Sequence, residues 1–165
     1  MGDESAHQTI TRNKKAYHNY FVDDEYEAGV RLVGTEVESL REGRVDLEEA
    51  YAKFDEGELF LVDAHISRYS DPKDRNHRPD RRRKLLLRRK QLNRLETKVE
   101  QSGYTLIPLE LYFKGDNVKV RLGVCRGKKQ FHKRQEEEQR QKAREMAREH
   151  ARILDEREHK YDENT

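Results

Sequence analysis

From Val118 to Cys125 the chain alternates without a break. Val118, Val120, Leu122 and Val124 are apolar, and Lys119, Arg121, Gly123 and Cys125 stand between them. A period of two predicts a strand with one face in a core and a cationic face turned outward. The preceding "YTLIPLELYF" (104–113) reads as its partner strand, and "KGDN" (114–117) as the hairpin turn joining them. Pro108 cannot donate to a ladder, which predicts an edge position or a bulge there.

Upstream, "AYHNYFVDDEYEAGVRLV" (16–33) is rich in Tyr, Phe and Val and reads as a strand, with Gly29 as a bulge or bend. "GTEVESLREGR" (34–44) predicts a short helix, with a capping box from Thr35 to Glu38, Val37 and Leu40 on one face, and Gly43 as its stop. "VDLEEAYAKF" and "LFLVDAHI" read as strands joined by "DEGE", followed by the loop "SDPKDRNHRPD". A helix is expected over about 81–101, capped by Asp80 and closed by Gly103. Leu85, Leu92, Leu95 and Val99 then share one stripe, while Arg82, Arg83, Arg89, Lys90 and Arg94 fall off it.

Several short antiparallel strands with a few helices predict a mainly β fold, a small barrel or sandwich. An OB-like closed antiparallel barrel with flanking helices fits best. The organisation expected is a flexible N-terminus at 1–11, the barrel domain at 12–131, and a C-terminal tail at 132–165. The tail has helix formers throughout, but Ala143, Met146, Ala147, Ile153 and Leu154 are too sparse for a self-sufficient stripe. It is expected to be disordered when free and helical on meeting a partner.

Charge changes this picture from scaffold to function. The net charge is only +2, with 41% of residues charged and 33% hydrophobic. Divided along the chain, Val22 to Asp63 carries 14 acids against 4 bases, whereas Asp71 to Lys98 carries 12 bases against 4 acids. Lys114 to Arg134 carries 8 bases against 1 acid, and the tail from Gln135 has 10 acids and 7 bases. Two basic blocks hidden in a near-neutral sum predict a polyanion partner.

Other classes are excluded or left without support. No run approaches the roughly 18 apolar residues of a membrane helix, and the N-terminus has no apolar signal region. The single Cys125 and the absence of an export signal fit the cytoplasm. The seven histidines show no zinc spacing, no glycine-rich phosphate loop occurs, and no Ser-His-Asp or Cys-His arrangement stands out. We therefore expect no enzyme, cofactor, metal or membrane partner, and a monomer.

Three motifs carry the binding chemistry. In "RGKKQFHKR" (126–134), Lys128, Lys129, Lys133 and Arg134 can neutralise phosphates, and Phe131 can stack on an unpaired base. The bland alternative is a solvated charge run with one stray ring. "RRRKLLLRRK" (81–90) reads as a basic helix along an RNA backbone, or as a solvated face whose leucines pack on the barrel. "RNKKAY" (12–17) is either a binding element or a plain strand start.

Taken together, "RNKKAYHNYF", "EYEAGVRLVGTEVESLREGRVDLEEAY", "RRRKLLL" and "SGYTLIPLELYFKGDNVKVRLGVCRGKKQFHKR" resemble the small protein B family, also called SsrA-binding proteins. They fall in that family's order and cover nearly all of residues 12–134. The resemblance implies an OB-like barrel that binds transfer-messenger RNA and brings it to stalled bacterial ribosomes in trans-translation. That RNA has a tRNA-like domain without a true anticodon arm. The protein is expected to occupy the missing space, its tail helical in the small-subunit decoding centre and mRNA channel. An OB-fold ribosomal protein or ribosome-assembly factor binding structured RNA is the alternative.

Carried over by position, the RNA-binding residues implied are Asn13, Lys14, Glu27, Leu86, Lys119, Lys128 and Lys129. Arg83, Lys84 and Arg121 join them from the basic helix and the alternating strand. A glutamate suits an RNA site if it accepts from base amino groups or ribose hydroxyls. Phe131, His132, Lys133, Arg134, Ile153 and Leu154 are expected at the decoding centre and along the tail. His132 stands where the family has an aspartate. Tyr51 is expected to be structural or near the ribosome.

Overall fold

The computed structural model describes residues 6–69 and 76–162, the side chains at 130–133 and 159–162 excepted. The chain divides into two compact units, Met1–Gly127 and Lys128–Thr165. In chain order the first runs β1 (His7–Arg12), α1 (Lys14–Asn19), β2 (Tyr20–Val30), α2 (Gly34–Arg41), β3 (Val45–Asp46), β4 (Tyr51–Asp55), β5 (Glu58–Val62), β6 (His65–Ile66), β7 (Arg83–Leu86), α3 (Arg89–Ser102), β8 (Thr105–Lys114) and β9 (Asn117–Gly127). It is mainly β, a large antiparallel sheet with flanking helices.

The predicted hairpin sets the frame. β8 and β9 pair from Thr105↔Cys125 to Lys114↔Asn117, with a register shift between Pro108 and Glu110 that answers the missing proline donor with a bulge. β2 runs along the other edge of β9 from Tyr20↔Gly127 to Gly29↔Lys119. β7 joins β2 to β5, β5 pairs β4, and β4 meets β8 at Ala52↔Leu106. β1 lies on the outer edge of β8, and β3 pairs β6 in a separate two-stranded sheet.

Alternation decides what is inside. Val118, Val120, Leu122 and Val124 are buried, with Ala28, Leu59, Leu61, Leu85, Leu106 and Leu111 from the neighbouring strands and Leu92 and Leu95 from α3. Outward on β9, the Gly123–Cys125 end is roofed by a second cluster of Ala16, Ile107, Leu109 and Cys125. A Cβ on Gly123 would lie 2.8 Å from Leu109 Cδ1, so only glycine lets Leu109 cross there. Burial pushes the Cys125 thiol up to about 12, so it packs as a small hydrophobe.

Four local expectations are corrected. Residues 7–11, expected to be flexible, belong to β1, whose ladder from His7↔Lys114 to Arg12↔Glu110 uses the free edge of β8. The strand expected from Ala16 starts at Tyr20, because Asn13 caps a helical turn first: its Oδ1 accepts from Ala16 N–H at 3.2 Å. The cap of α2 lies two residues earlier than expected, at Val33 rather than Thr35, with Glu36 rather than Glu38 accepting from the Val33 N–H, 3.0 Å away. Finally, "RRRKLLL" is not helix. β7 buries Arg83 and Leu85 and turns Lys84 and Leu86 outward, and α3 begins only at Arg89, ending on Gly103 at φ 66°.

The second unit is helix α4 (Lys128–Asp162). It starts four residues before the expected 131/132 boundary. Glutamates set four residues before Arg140 and Lys142, in the favourable order, and abundant Ala, Gln, Arg and Glu account for the helix. Its described side chains from Arg134 to Glu158 are all exposed. The loop residues 70–75 fall outside the description.

Candidate nucleic-acid interface

The site is the outward face of β1, β8, β9 and β2. Register aligns Glu27, Arg121 and Glu110 in one row across β2, β9 and β8, and Leu86, Gly29, Lys119, Tyr112 and Thr9 in the next row, from β7 to β1. Cross-strand neighbours on one face lie about 5 Å apart, so these side chains must interact.

They do so as a network. Glu110 is 3% exposed and accepts from Thr9 Oγ1 at 2.7 Å, meets His7 Nε2 at 2.9 Å and pairs Arg121 Nη1 at 3.1 Å. Burial pushes its carboxyl up, but these partners outweigh that and hold it below the usual range. The His7 ring stacks on Tyr112 at 4.0 Å between centroids, and Arg121 sits 6.0 Å over the same ring. Tyr112 donates to Glu27 at 2.5 Å, and Lys114 pairs Glu27 at 3.3 Å. The bond from Tyr112 comes first among the causes that lower the Glu27 carboxyl; on the phenol side, burial and then Glu27 push Tyr112 up.

The face is therefore preorganised but balanced. Lys114, Lys119 and Arg121 stand against Glu25, Glu27 and Glu110, with Arg121 also 3.7 Å from Glu25. Lys119 makes no ion pair among the described residues. Beside it Leu86 is 44% exposed, its Cβ 3.3 Å from where a Cβ on Gly29 would stand. A shallow apolar notch, one lysine and fixed carboxylate acceptors can read base edges and ribose hydroxyls. They are poorly suited to holding many phosphates.

The structure brings Glu27, Leu86, Lys119 and Arg121 together. Two other candidates are corrected. Asn13 is 4% exposed, and its Nδ2 donates to Leu47 O at 3.1 Å and Pro108 O at 3.0 Å, so its side chain is consumed in docking α1. Arg83 is fully buried: Nε donates to Glu36, Nη1 to Ala64 O at 2.9 Å and Nη2 to Pro79 O at 3.0 Å. Lys84 is half-buried and paired with Glu58 at 3.0 Å.

Lys14 is exposed on α1, which packs at the roofed end of β9, about 20 Å along the strand from Lys119. Beside α1 a cleft of about 250 Å³ is lined by Lys15, Tyr20, Glu49 and Tyr51 and crossed by a 3.0 Å Lys15–Glu49 pair.

In the second unit, Lys128 and Lys129 open α4, Arg134 is exposed, and Ile153 and Leu154 are 40% and 48% exposed. The side chains of Phe131, His132 and Lys133 lie outside the described residues. Sequence reasoning missed His7, Thr9, Glu110, Tyr112 and Lys114. The period of two puts Glu110, Tyr112 and Lys114 on one face, but nothing local reveals β1 across a separation of 103 residues. Among the described residues no group of three His, Cys, Asp or Glu could hold a metal ion, and no helix is long and apolar enough to cross a membrane.

Fold and face together define a mainly β protein of the nucleic-acid-binding class. Comparison with known proteins narrows the class. The family model for SmpB protein matches residues 10–152. An SsrA-binding protein of Desulfitobacterium hafniense (strain DSM 10664 / DCB-2) is 50% identical over 129 residues, 78% of this chain and 83% of that protein. One from Dehalococcoides mccartyi (strain ATCC BAA-2266 / KCTC 15142 / 195) is 52% identical over 126 residues, 76% and 73% of the two chains. A chain in the solved structure described as "tmRNA-SmpB: a journey to the center of the bacterial ribosome" superposes with TM-score 0.61 at 47% identity, covering 72% of this chain and 83% of that one. The chain belongs to the SmpB protein family.

Proposed function

We propose that the protein is an RNA-binding adaptor of trans-translation. It binds the tRNA-like domain of transfer-messenger RNA and delivers that RNA to stalled ribosomes in the cytoplasm, catalysing nothing itself. Its relatives are SsrA-binding proteins, and its structural neighbour is described with tmRNA on the bacterial ribosome. The observation that carries the assignment to a surface is the row of Leu86, Gly29 and Lys119 beside the fixed Glu27–Tyr112 pair. There the tRNA-like domain rests a sugar–phosphate edge on Lys119 and a ribose or base against Leu86, while Glu27 accepts from hydroxyl or amino groups.

The ring of ladders from β8 through β4, β5, β7, β2 and β9 back to β8 supports a closed barrel of OB type, although β4 and β8 share a single residue pair. In this reading α4 is the segment that enters the decoding centre and mRNA channel. Lys128 and Lys129 sit at its root, followed by Phe131, His132, Lys133 and Arg134, with Ile153 and Leu154 as its apolar contact. Polar nearly all round, α4 is only marginally stable when free, and the ribosome stabilises its helix.

Lys119→Ala tests the surface. Removing one phosphate contact should reduce the magnitude of the log–log salt slope for the isolated tRNA-like domain by about 0.7–0.9 with no change in thermal midpoint. An unchanged slope removes Lys119 from the interface.

A further inference from the structure

The recognition face carries a chain of contacts that starts on the N-terminal strand. The register of β1 on β8 sets His7 opposite Lys114 and Thr9 opposite Tyr112. The His7 ring lies flat on the Tyr112 ring, with 4.0 Å between centroids and an interplanar angle of 13°. Its Nε2 is fixed at 2.9 Å by Glu110 Oε1. That carboxylate is fixed in turn by Thr9 Oγ1 at 2.7 Å and by Arg121 Nη1 at 3.1 Å. The imidazole therefore cannot turn off the phenol ring without breaking its bond to a carboxylate held from two other sides.

Tyr112 itself is closed to RNA. It is 3% exposed, with His7 stacked on its ring and Arg121 Cζ 6.0 Å from the same centroid. What it does is hold Glu27, whose Oε2 accepts from the phenol hydroxyl. Glu27 is open to solvent, its side chain 42% exposed. Its Oε1 meets Lys114 at 3.3 Å and, with two lone pairs, can accept from a donor on the RNA as well.

We propose that His7 is a positioning residue for RNA recognition. Its ring, aimed by Glu110, backs Tyr112 so that the phenol holds Glu27 ready to accept from a ribose hydroxyl or base amino group of the tRNA-like domain. An unsupported glutamate samples several rotamers, and ordering it on binding costs affinity. A stacked ring behind the phenol removes that cost before the RNA arrives. His7 touches no phosphate in this arrangement, so it acts through Tyr112 and not through charge. The inference deepens the reading of the protein as an RNA adaptor and rests on it.

The test is a double-mutant cycle between His7→Ala and Tyr112→Phe in the full chain. Binding to the isolated tRNA-like domain is measured well below the thermal midpoint of every variant. Tyr112→Phe keeps the ring under His7 and removes only the hydroxyl that holds Glu27. Each single variant should weaken binding about three- to tenfold, the scale of one stacked or hydrogen-bonded contact. The double variant should match Tyr112→Phe to within about twofold, because the two residues act in series. His7→Phe, which keeps a ring on Tyr112, should stay within about twofold of the parent. His7→Gln, which keeps a donor for Glu110 but no ring, should be as weak as His7→Ala. The log–log salt slope of His7→Ala should equal that of the parent. Parent affinity in His7→Ala, losses that add in the double variant, rescue that Phe fails to give or that Gln supplies, or a slope smaller by about 0.7–0.9, the mark of a lost phosphate contact, each overturns the proposal. A parent that binds the tRNA-like domain and an ordinary tRNA alike refutes the adaptor reading, while the cycle run on either RNA still decides this one; a parent that binds neither overturns both.

Discussion

Removing residues 135–165 should abolish peptide tagging on stalled ribosomes while leaving affinity for transfer-messenger RNA within about threefold of the parent, less than about 0.7 kcal/mol. The two compact units divide at Gly127/Lys128, so the cut crosses no strand of the first unit. All of the Glu27, Tyr112, Lys114, Lys119 and Arg121 network lies before it. The tail has nothing comparable: its described side chains are exposed, and a helix polar nearly all round is marginal in water. Filter binding checks the first half and reconstituted tagging the second. Loss of RNA affinity on truncation would show that the tail is part of the RNA site.

Glu36→Ala should cost about 3–5 kcal/mol of folding stability, read as a fall in the urea midpoint at constant m-value. Glu36 and Arg83 are both completely buried, and Glu36 also takes a hydrogen bond from Arg81. Deleting the carboxylate leaves Arg83 with its charge uncompensated between α2 and β7. Replacing both partners, as in E36L/R83M, should cost far less, because no unpaired charge remains.

The same pair sets a pH dependence. Burial pushes the Glu36 carboxyl up, but hydrogen bonds from Arg81, the Val33 backbone N–H and Arg83 outweigh it, and the carboxyl sits below the usual range. Its contribution is thus fully present above the unfolded carboxylate pKa of about 4.3 and is lost as pH falls through the lower folded value. A midpoint for Glu36→Ala as acid-sensitive as that of the parent would argue that other carboxylates govern acid unfolding, Glu110 and Glu27 first among them.

The strands that alternate cleanly were legible from sequence. Val118 to Cys125 and its hairpin partner needed only the period of two, a turn and one proline. "RRRKLLL" was not, because three consecutive leucines satisfy either period. What selected the strand was tertiary: Glu36, 47 residues upstream, draws Arg83 inward. Arg83 and Asn13 were misread for one reason. A charged or polar residue inside a basic motif looks like a ligand contact until its partners are known, and those partners are mostly backbone carbonyls of distant segments. Lys119 and Arg121 were read correctly as outward because their own strand sets their direction, whereas the His7–Glu110 bond depends on a ladder that no local pattern encodes.

The central claim is that the outward face of β2, β8 and β9 recognises a tRNA-like fold lacking one arm. The most direct measurement is competition for the purified protein between transfer-messenger RNA and an ordinary tRNA of matched length to its tRNA-like domain, at fixed moderate salt. The account predicts that transfer-messenger RNA is preferred by at least about tenfold, or roughly 1.4 kcal/mol, and that Lys119→Ala shrinks the preference. Equal affinities would contradict it and leave a general binder of structured RNA.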